Sequence, residues 1–245
     1  MRATILGSSG GAPSPTRETS CVLVRDGRSA LLLDVGSGVR RILGGTPALD
    51  EIEHLDVVLT HFHFDHVCGL PYLRWLEIDV AIWAPGAWLY DRPSAEILEA
   101  LLSPPISPTD VTSWPVHELR EGKQSVSGFN LRAGAQPHHW APSAGFRVDD
   151  GLAYMTDTPY ESSSVELAGG VRHLLHEAWS TSQAPEFAHR DATAADAGRV
   201  AREADVGGLT LIHLNPQISD FAPLADDARS LFAAVVVAED GMELT

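Results

Sequence analysis

The sequence predicts an α/β protein in which two β-sheets pack face to face with helices on their outer sides. Short apolar runs bounded by Gly, Pro and Asp recur along the chain, which is typical of strands. Helical segments are interspersed among them and can cover the outer sheet faces. The 245 residues contain no Pro/Gly/Ser-rich linker, so we expect one domain over residues 1–245 with a substantial core.

The first half of the chain is rich in predicted strands. A glycine-rich loop at 7–11 follows the opening strand, and segment 103–113, with three prolines, is predicted to be a loop. Ser94 is a plausible helix cap. The predicted strands are Ala3–Leu6, Ser20–Val24, Ala30–Val35, Leu55–Thr60 and Val80–Trp83. The predicted helices are Arg40–Leu43, His66–Trp75, which is interrupted near Pro71, and Ser94–Leu102.

In the second half, strands again dominate and two helices are predicted. Segment 192–204 has the clearest helical pattern. The predicted strands are Phe129–Ala135, Ala144–Val148, Leu152–Thr156, His173–His176, Leu209–Ile212 and Ala233–Ala238, and the helices are Ala192–Ala204 and Asp226–Phe232.

The charge balance restricts the partners. With 17 basic and 33 acidic residues the formal net charge is −16, which repels phosphate backbones, so a nucleic-acid partner is not expected. A small anionic substrate stays compatible with this charge, because a bound metal ion can outweigh distant charges.

No apolar run reaches the roughly 20 residues needed to span a bilayer, and the start lacks the pattern of a signal peptide, so we expect a cytoplasmic protein without membrane contact. A homodimer is left open.

The two cysteines, Cys21 and Cys68, lie outside any CxxC pair and are expected to be reduced and structural. A transition metal would therefore be held by nitrogen and oxygen. Such ligands are concentrated in Thr60-His-Phe-His-Phe-Asp-His66, directly after a predicted strand. His61 and His63 are two apart in an extended segment and can point the same way toward one ion. Asp65 and His66 can bind a second ion past the bend, and zinc prefers this ligand set.

The motif THFHFDH resembles the signature of the metallo-β-lactamase superfamily. The resemblance implies a four-layer αββα sandwich with the metal site at one edge of the two sheets. It also implies two divalent metal ions, zinc first and manganese as the alternative, and a water-derived nucleophile between them. The implied ligands are His61, His63 and His139 on one ion, and Asp65, His66 and His213 on the other, with Asp157 bridging. Spacing to Gly145 and Phe146 favours His139 over His138, which is then a supporting or surface residue.

The chain is most similar to the ribonuclease Z branch and its smaller phosphodiesterase relatives. The matching segments include Leu6–Pro15, Leu31–Gly38, His176-Glu-Ala-Trp179 and Ala238-Glu-Asp-Gly-Met242. The resemblance implies catalytic roles for Asp65, His189 and Glu177, with His189, supported by Glu177, helping to protonate the leaving group. The alternative for His189 is a structural role, in which it caps or precedes the helix that starts at Ala192.

Three further residues are candidates for the predicted site. Asp34 ends an apolar run, and a buried Asp needs a partner, so we expect it to orient a ligand histidine or to cap the turn at 36–38. Trp140 and Trp179 either line a pocket at the metals or pack in the core.

One departure from the branch bears on the substrate. Members that process transfer RNA carry a long, basic arm before the third histidine, whereas 83–129 has a single lysine here. The sequence therefore predicts a phosphodiesterase acting on a small cyclic or diester phosphate. The alternatives are an ester, lactone or β-lactam hydrolase on the same metals, a tRNA 3′-end endonuclease, and a partner-binding protein without activity, which the full ligand set disfavours.

Overall fold

The computed structural model of the protein describes residues 1–108, 110–138, 141–185 and 190–245. Its strands are β1 (Arg2–Gly7), β2 (Cys21–Asp26), β3 (Ser29–Leu33), β4 (His54–Val58), β5 (Asp79–Ala84), β6 (Val116–Glu118), β7 (Gly122–Val126), β8 (Phe129–Gln136), β9 (Ser143–Val148), β10 (Leu152–Met155), β11 (His173–Glu177), β12 (Gly208–Ile212), β13 (Val235–Val237) and β14 (Glu243–Leu244). Its helices are α1 (Phe64–Val67), α2 (Gly86–Tyr90), α3 (Ser94–Glu99), α4 (Ser162–Ala168), α5 (Ala194–Glu203) and α6 (Ala222–Arg229), with 3-10 helices at Ser37–Ile42, Pro47–Leu49, Leu70–Trp75 and Val111–Ser113.

The strands of the described residues form two mixed sheets of seven. The first has the order β14-β1-β2-β3-β4-β5-β6 and the second β13-β12-β11-β10-β9-β8-β7. Strands β3 to β6 run parallel to one another, as do β10 to β13. The remaining pairs of adjacent strands in each sheet are antiparallel. The two sheets are thus built on the same plan, with their parallel strands carrying the longer crossovers.

Alternation along the strands explains the layers. Leu31 and Leu33 of β3 pack between the two sheets, whereas Leu32 packs on the outer face of the first sheet, as the two-residue period of a strand requires. A third cluster joins the outer face of the second sheet to α4, α5 and α6. The predicted αββα sandwich is confirmed. The single domain over 1–245 stays a prediction, although β14, near the end of the chain, pairs with β1.

Several element boundaries differ from expectation. The helix predicted over 66–75, with an interruption near Pro71, is divided: α1 ends at Val67 and a separate 3-10 helix starts at Leu70, with Pro71 in its first turn. Ser94 is not the cap of α3; Pro93 precedes the helix, and Ser94 Oγ instead accepts from Gly86 N and donates to Ala84 O. Helix α6 starts four residues earlier than predicted, with a proline in its first turn. Strands β6, β7 and β14 and helices α2 and α4 were not predicted.

Across the described residues, no helix combines the length and apolar character needed to cross a membrane.

Candidate metal centre

The candidate ligands lie where strands of the two sheets end. The histidine motif leaves the carboxyl end of β4, and three further site residues follow β3, β10 and β12 directly or after one residue: Asp34, Asp157 and His213. Carboxyl ends of parallel strands meet at one edge of a sheet, so residues distant in sequence come together there. The predicted position of the site at one edge of the two sheets agrees with these placements.

The first group contains three histidines and one carboxylate, with ligand atoms within 4.8 Å of one another: His61, His63, His138 and Asp157. His138 Nε2 lies 3.3 Å from His63 Nδ1 and 3.3 Å from Asp157 Oδ1. His138, and not only its neighbour in the tandem pair, therefore has to be considered as a ligand. His139, the residue that the sequence favoured, lies outside the described residues.

The second group contains Asp65, His66 and His213. His66 Nε2 lies 3.2 Å from Asp65 Oδ2 and 3.3 Å from His213 Nε2. The remaining pair, His213 Nε2 and Asp65 Oδ2, is 3.3 Å apart. The three ligand atoms thus form a nearly equilateral triangle.

Asp157 stands between the two groups. Its Oδ1 faces the first group, 3.3 Å from His138 Nε2 and 3.8 Å from His61 Nε2. Its Oδ2 faces the second group, 3.1 Å from His66 Nε2 and 3.2 Å from His213 Nε2. One carboxylate thus offers one oxygen to each group, which is the arrangement that a ligand shared by two ions requires.

These separations fit a tetrahedral ion. Bonds of 2.0–2.1 Å to nitrogen and oxygen place neighbouring ligand atoms about 3.3 Å apart, and in the second group together with Asp157 Oδ2 five such separations lie between 3.1 and 3.3 Å. In the first group, His61 Nε2 is buried and forms no hydrogen bond within the described chain. A buried nitrogen without a hydrogen-bonding partner is costly, and a metal ion would use its lone pair.

The ionisation of the cluster also favours a cation. Burial would raise the pKa of Asp157, but His213, His66 and His61 lower it well below its usual value. Burial would lower the pKa of His66, but nearby carboxylates, Asp65 foremost, raise it well above its usual value. The carboxylates therefore stay ionised and need positive charge beside them, which either histidinium or a bound cation can supply.

A network behind the cluster fixes the orientation of His66 and His61. His66 Nδ1 lies 2.8 Å from Asp34 Oδ2, and His61 Nδ1 lies 3.0 Å from Thr60 Oγ1. Thr60 donates to Asp34 through its backbone N (2.8 Å) and its hydroxyl (2.9 Å), and Tyr154 donates through its hydroxyl (3.0 Å). The expected contact between Asp34 and a cluster histidine is present. It keeps the proton of His66 on Nδ1 and leaves Nε2 free to bind a metal ion.

Glu177 makes the corresponding contact with the last histidine. Its Oε2 lies 3.2 Å from His213 Nδ1, while Oε1 accepts from the backbone N of Thr158 (2.8 Å) and of Ala192 (2.9 Å). Burial raises the pKa of Glu177 to about 7, although His213 lowers it. These contacts indicate that Glu177 orients His213. Its expected partner, His189, lies outside the described residues.

The glycine-rich loop closes the second group from the other side. Gly11 N donates to Asp65 Oδ2 over 2.8 Å. At Gly10, an added Cβ would meet the ring of His213 at 2.5 Å, so only glycine lets the loop approach this closely. Loop 7–11 thus positions two ligands, a role that the sequence alone did not indicate.

Some of the supporting residues could not be identified from the sequence. Thr60 stands within the quoted motif and could have been singled out for its hydroxyl. Tyr154 contacts Asp34 across 120 residues of chain, and no local pattern marks it. Trp140 lies outside the described residues, whereas Trp179 lies at the site, its ring centre 6.0 Å from that of His213.

Known proteins match most of this chain in sequence. Residues 30–214 match the family described as the beta-lactamase superfamily domain. A ribonuclease Z of Haloferax volcanii is 29% identical over an alignment of 310 residues covering 100% of this chain and 94% of that protein. The probable metallo-hydrolase YhfI of Bacillus subtilis is 27% identical over 256 residues, covering 98% of each chain.

Two solved structures show this fold. The crystal structure of YhfI has a TM-score of 0.80 at 22% identity and covers 99% of this chain and 98% of its own. A diphosphatase from the PhnP family has a TM-score of 0.76 at 20% identity, covering 100% of this chain and 97% of its own. Together with the family match and the two groups of histidine and aspartate side chains, these similarities show that the chain belongs to the beta-lactamase superfamily and is a metal-dependent hydrolase of the metallo-β-lactamase fold.

Proposed function

We propose that the protein is a dinuclear, metal-dependent phosphodiesterase acting on a small cyclic or diester phosphate, with zinc as its metal and manganese as an alternative. The observation that carries the proposal is the arrangement of Asp157, whose two oxygens face two groups of candidate ligands. Two ions at such a site, when bound, lower the pKa of a water molecule and polarise an ester oxygen. The ribonuclease Z and diphosphatase relatives support phosphate ester chemistry in particular.

In this proposal, His61, His63 and His138 hold one ion, with His139 as the alternative to His138. Asp65, His66 and His213 hold the other ion, and Asp157 is common to both. Asp65 also accepts the Gly11 N–H, which fixes the carboxylate against the glycine-rich loop. His189 as the proton donor to the leaving group remains part of the proposal.

The net charge of the chain and its length relative to ribonuclease Z favour a small substrate over RNA. The net charge of −16 disfavours an extended phosphate backbone. The alignment with ribonuclease Z has 310 positions against 245 residues here, so that relative has residues without counterparts in this chain. The alignment with YhfI needs only 256 positions.

The test is hydrolysis of bis(p-nitrophenyl) phosphate by protein reconstituted with zinc or manganese. We expect turnover that is lost on treatment with a chelator and in His63→Ala. The same variant should bind less than two equivalents of metal by elemental analysis. A protein that holds two metals, leaves the phosphodiester intact and opens a lactone or β-lactam would refute phosphodiester chemistry.

The choice of the third histidine is tested separately. His138→Ala should lose metal from the first group and most of the activity, because its Nε2 is 3.3 Å from both neighbouring ligand atoms. His117→Ala is the matched control, since this exposed histidine stacks on Trp83 with ring centres 4.5 Å apart and has no part in either group. Wild-type metal content in His138→Ala would return the assignment to His139.

A further inference from the structure

Phe64 is the most exposed of the large apolar side chains described in the structure, at 71%. A single exposed apolar residue is ordinary on a protein surface. Phe64 differs by its position, since it stands between His63 of the first ligand group and Asp65 of the second. Its backbone therefore lies beside both groups of candidate ligands, while its ring is exposed to solvent.

The other phenylalanine of the motif has a different environment. Phe62 is partly buried, packs against the outer core of the first sheet and meets Tyr90 edge-on with ring centres 5.4 Å apart. Phe62 therefore has a structural contact that accounts for its aromatic ring. Within residues 1–108, 110–138, 141–185 and 190–245, no ring contact or core cluster includes the ring of Phe64.

The chain around Phe64 is fixed, so the ring is presented from a rigid support. Asp65 accepts from Gly11 N over 2.8 Å, and the backbone of α1 is closed by a bond from Cys68 N to Phe64 O (2.8 Å). An aromatic side chain on a fixed backbone loses less entropy on making a contact than one on a mobile segment.

A second aromatic residue lies at the same ligand group. The ring of Trp179 is centred 6.0 Å from the ring of His213, and its Cη2 lies 3.6 Å from the point where a Cβ on Gly11 would stand. Gly11 is the residue that donates to Asp65, the neighbour of Phe64. The surroundings of Asp65 and His213 are thus aromatic as well as ionic, which suits an ester that carries a ring.

We propose that Phe64 binds the organic group of the substrate, and that this group is aromatic, an aryl ring or a nucleobase, attached to the phosphate held at the metals. This inference rests on the proposed phosphodiesterase function and specifies its substrate class. Contact between two aromatic rings contributes a favourable energy beyond that of burying apolar area, so Phe64 would discriminate aromatic from alkyl esters. The phosphate is held by the metal groups and the ring by Phe64.

The experiment compares binding of phenyl phosphate and methyl phosphate to the zinc-loaded protein by isothermal titration calorimetry. The two ligands share the phosphate and differ in the ring. We expect wild-type protein to prefer phenyl phosphate, and Phe64→Ala to bind it about 5- to 10-fold more weakly with methyl phosphate unchanged. Phe64→Trp should keep the preference.

The matched control is Trp75→Ala, because Trp75 is 64% exposed but lies on the 3-10 helix beyond α1. It should leave both affinities unchanged. The inference is overturned if Phe64→Ala keeps the preference, if it weakens both ligands equally, or if light scattering shows that it dissociates a dimer whose second copy covers the ring. Failure of wild-type protein to bind either phosphate overturns the proposed function together with the inference.

Discussion

Replacing Asp34 by Asn tests whether metal binding depends on a residue that touches no metal. Asp34 is fully buried and accepts from three residues: Thr60, His66 and Tyr154. An asparagine has a single acceptor oxygen, so it can keep either the Thr60 backbone N–H or the bond from His66. If the amide nitrogen of the asparagine faces His66, Nδ1 must act as an acceptor. The imidazole proton then lies on Nε2, which is the atom offered to the metal.

The magnitude follows from these contacts. Leaving one buried donor unpaired costs about 1–3 kcal/mol, so Asp34→Asn should lower the free energy of unfolding of the metal-free protein by that amount. Loss of an outer hydrogen-bond partner of a ligand histidine lowers metal affinity about 10- to 100-fold. Urea unfolding measures the first quantity, and competition with a chromophoric chelator measures the second.

Asp56→Asn is the matched control. Asp56 is also buried, on the strand that leads into the histidine motif, but it accepts from Trp83 Nε1 over 2.8 Å and lies 3.2 Å from the exposed His54. Its substitution should leave metal affinity unchanged. If Asp34→Asn holds both metals with wild-type affinity, the orientation of His66 does not depend on Asp34 and the reasoning is refuted.

Two further substitutions test how His213 is held. Glu177→Gln can keep both backbone donors on its oxygen and then presents its amide to His213 Nδ1, so the second metal should be lost while the metal-free fold is retained; two bound metals by elemental analysis would contradict this. Gly10→Ala places a Cβ 2.5 Å from the His213 ring and should abolish the rise in melting temperature on zinc addition. In the control, Gly134→Ala, the nearest atom is Leu167 Cδ2 at 3.5 Å and the zinc effect should persist; an undiminished zinc effect in Gly10→Ala would show that the loop yields.

The fold and the linear part of the site could be predicted because both depend on local patterns. The apolar run at Leu31 to Leu33 predicted a strand, and Asp34 at its end was recognisable as a buried carboxylate that needs a donor. The motif after β4 contains four candidate ligands within six residues. Its chemistry can be understood before any tertiary contact is known.

Other features depend on where the chain turns. Alternation from Leu131 and Ala133, which face the second sheet's inner side, would continue to residue 139. The strand instead ends at Gln136, Pro137 follows, and His138 comes to lie in the first group. A proline just past a strand removes the register on which such counting depends, so alternation along β8 does not decide between the tandem histidines, and the preference for His139 from its spacing to Gly145 stays a prediction. The contact of Glu177 with His213 joins neighbouring strands and was equally out of reach.

Three residues of the site have a backbone conformation that is energetically unfavourable for residues other than glycine. Asp34, Asp157 and His213 have φ values of 56°, 54° and 49°, in the left-handed region. This region disfavours residues with a Cβ, and each such residue costs of order 1 kcal/mol. Glycine would remove that cost but would also remove the carboxylate or imidazole. All three positions closely follow a strand of one sheet or the other, and the left-handed turn is part of how the chain leaves each strand where the side chains meet. Each of the three side chains is held by contacts with neighbouring cluster residues, so the strain is maintained by the same network that orients the ligands.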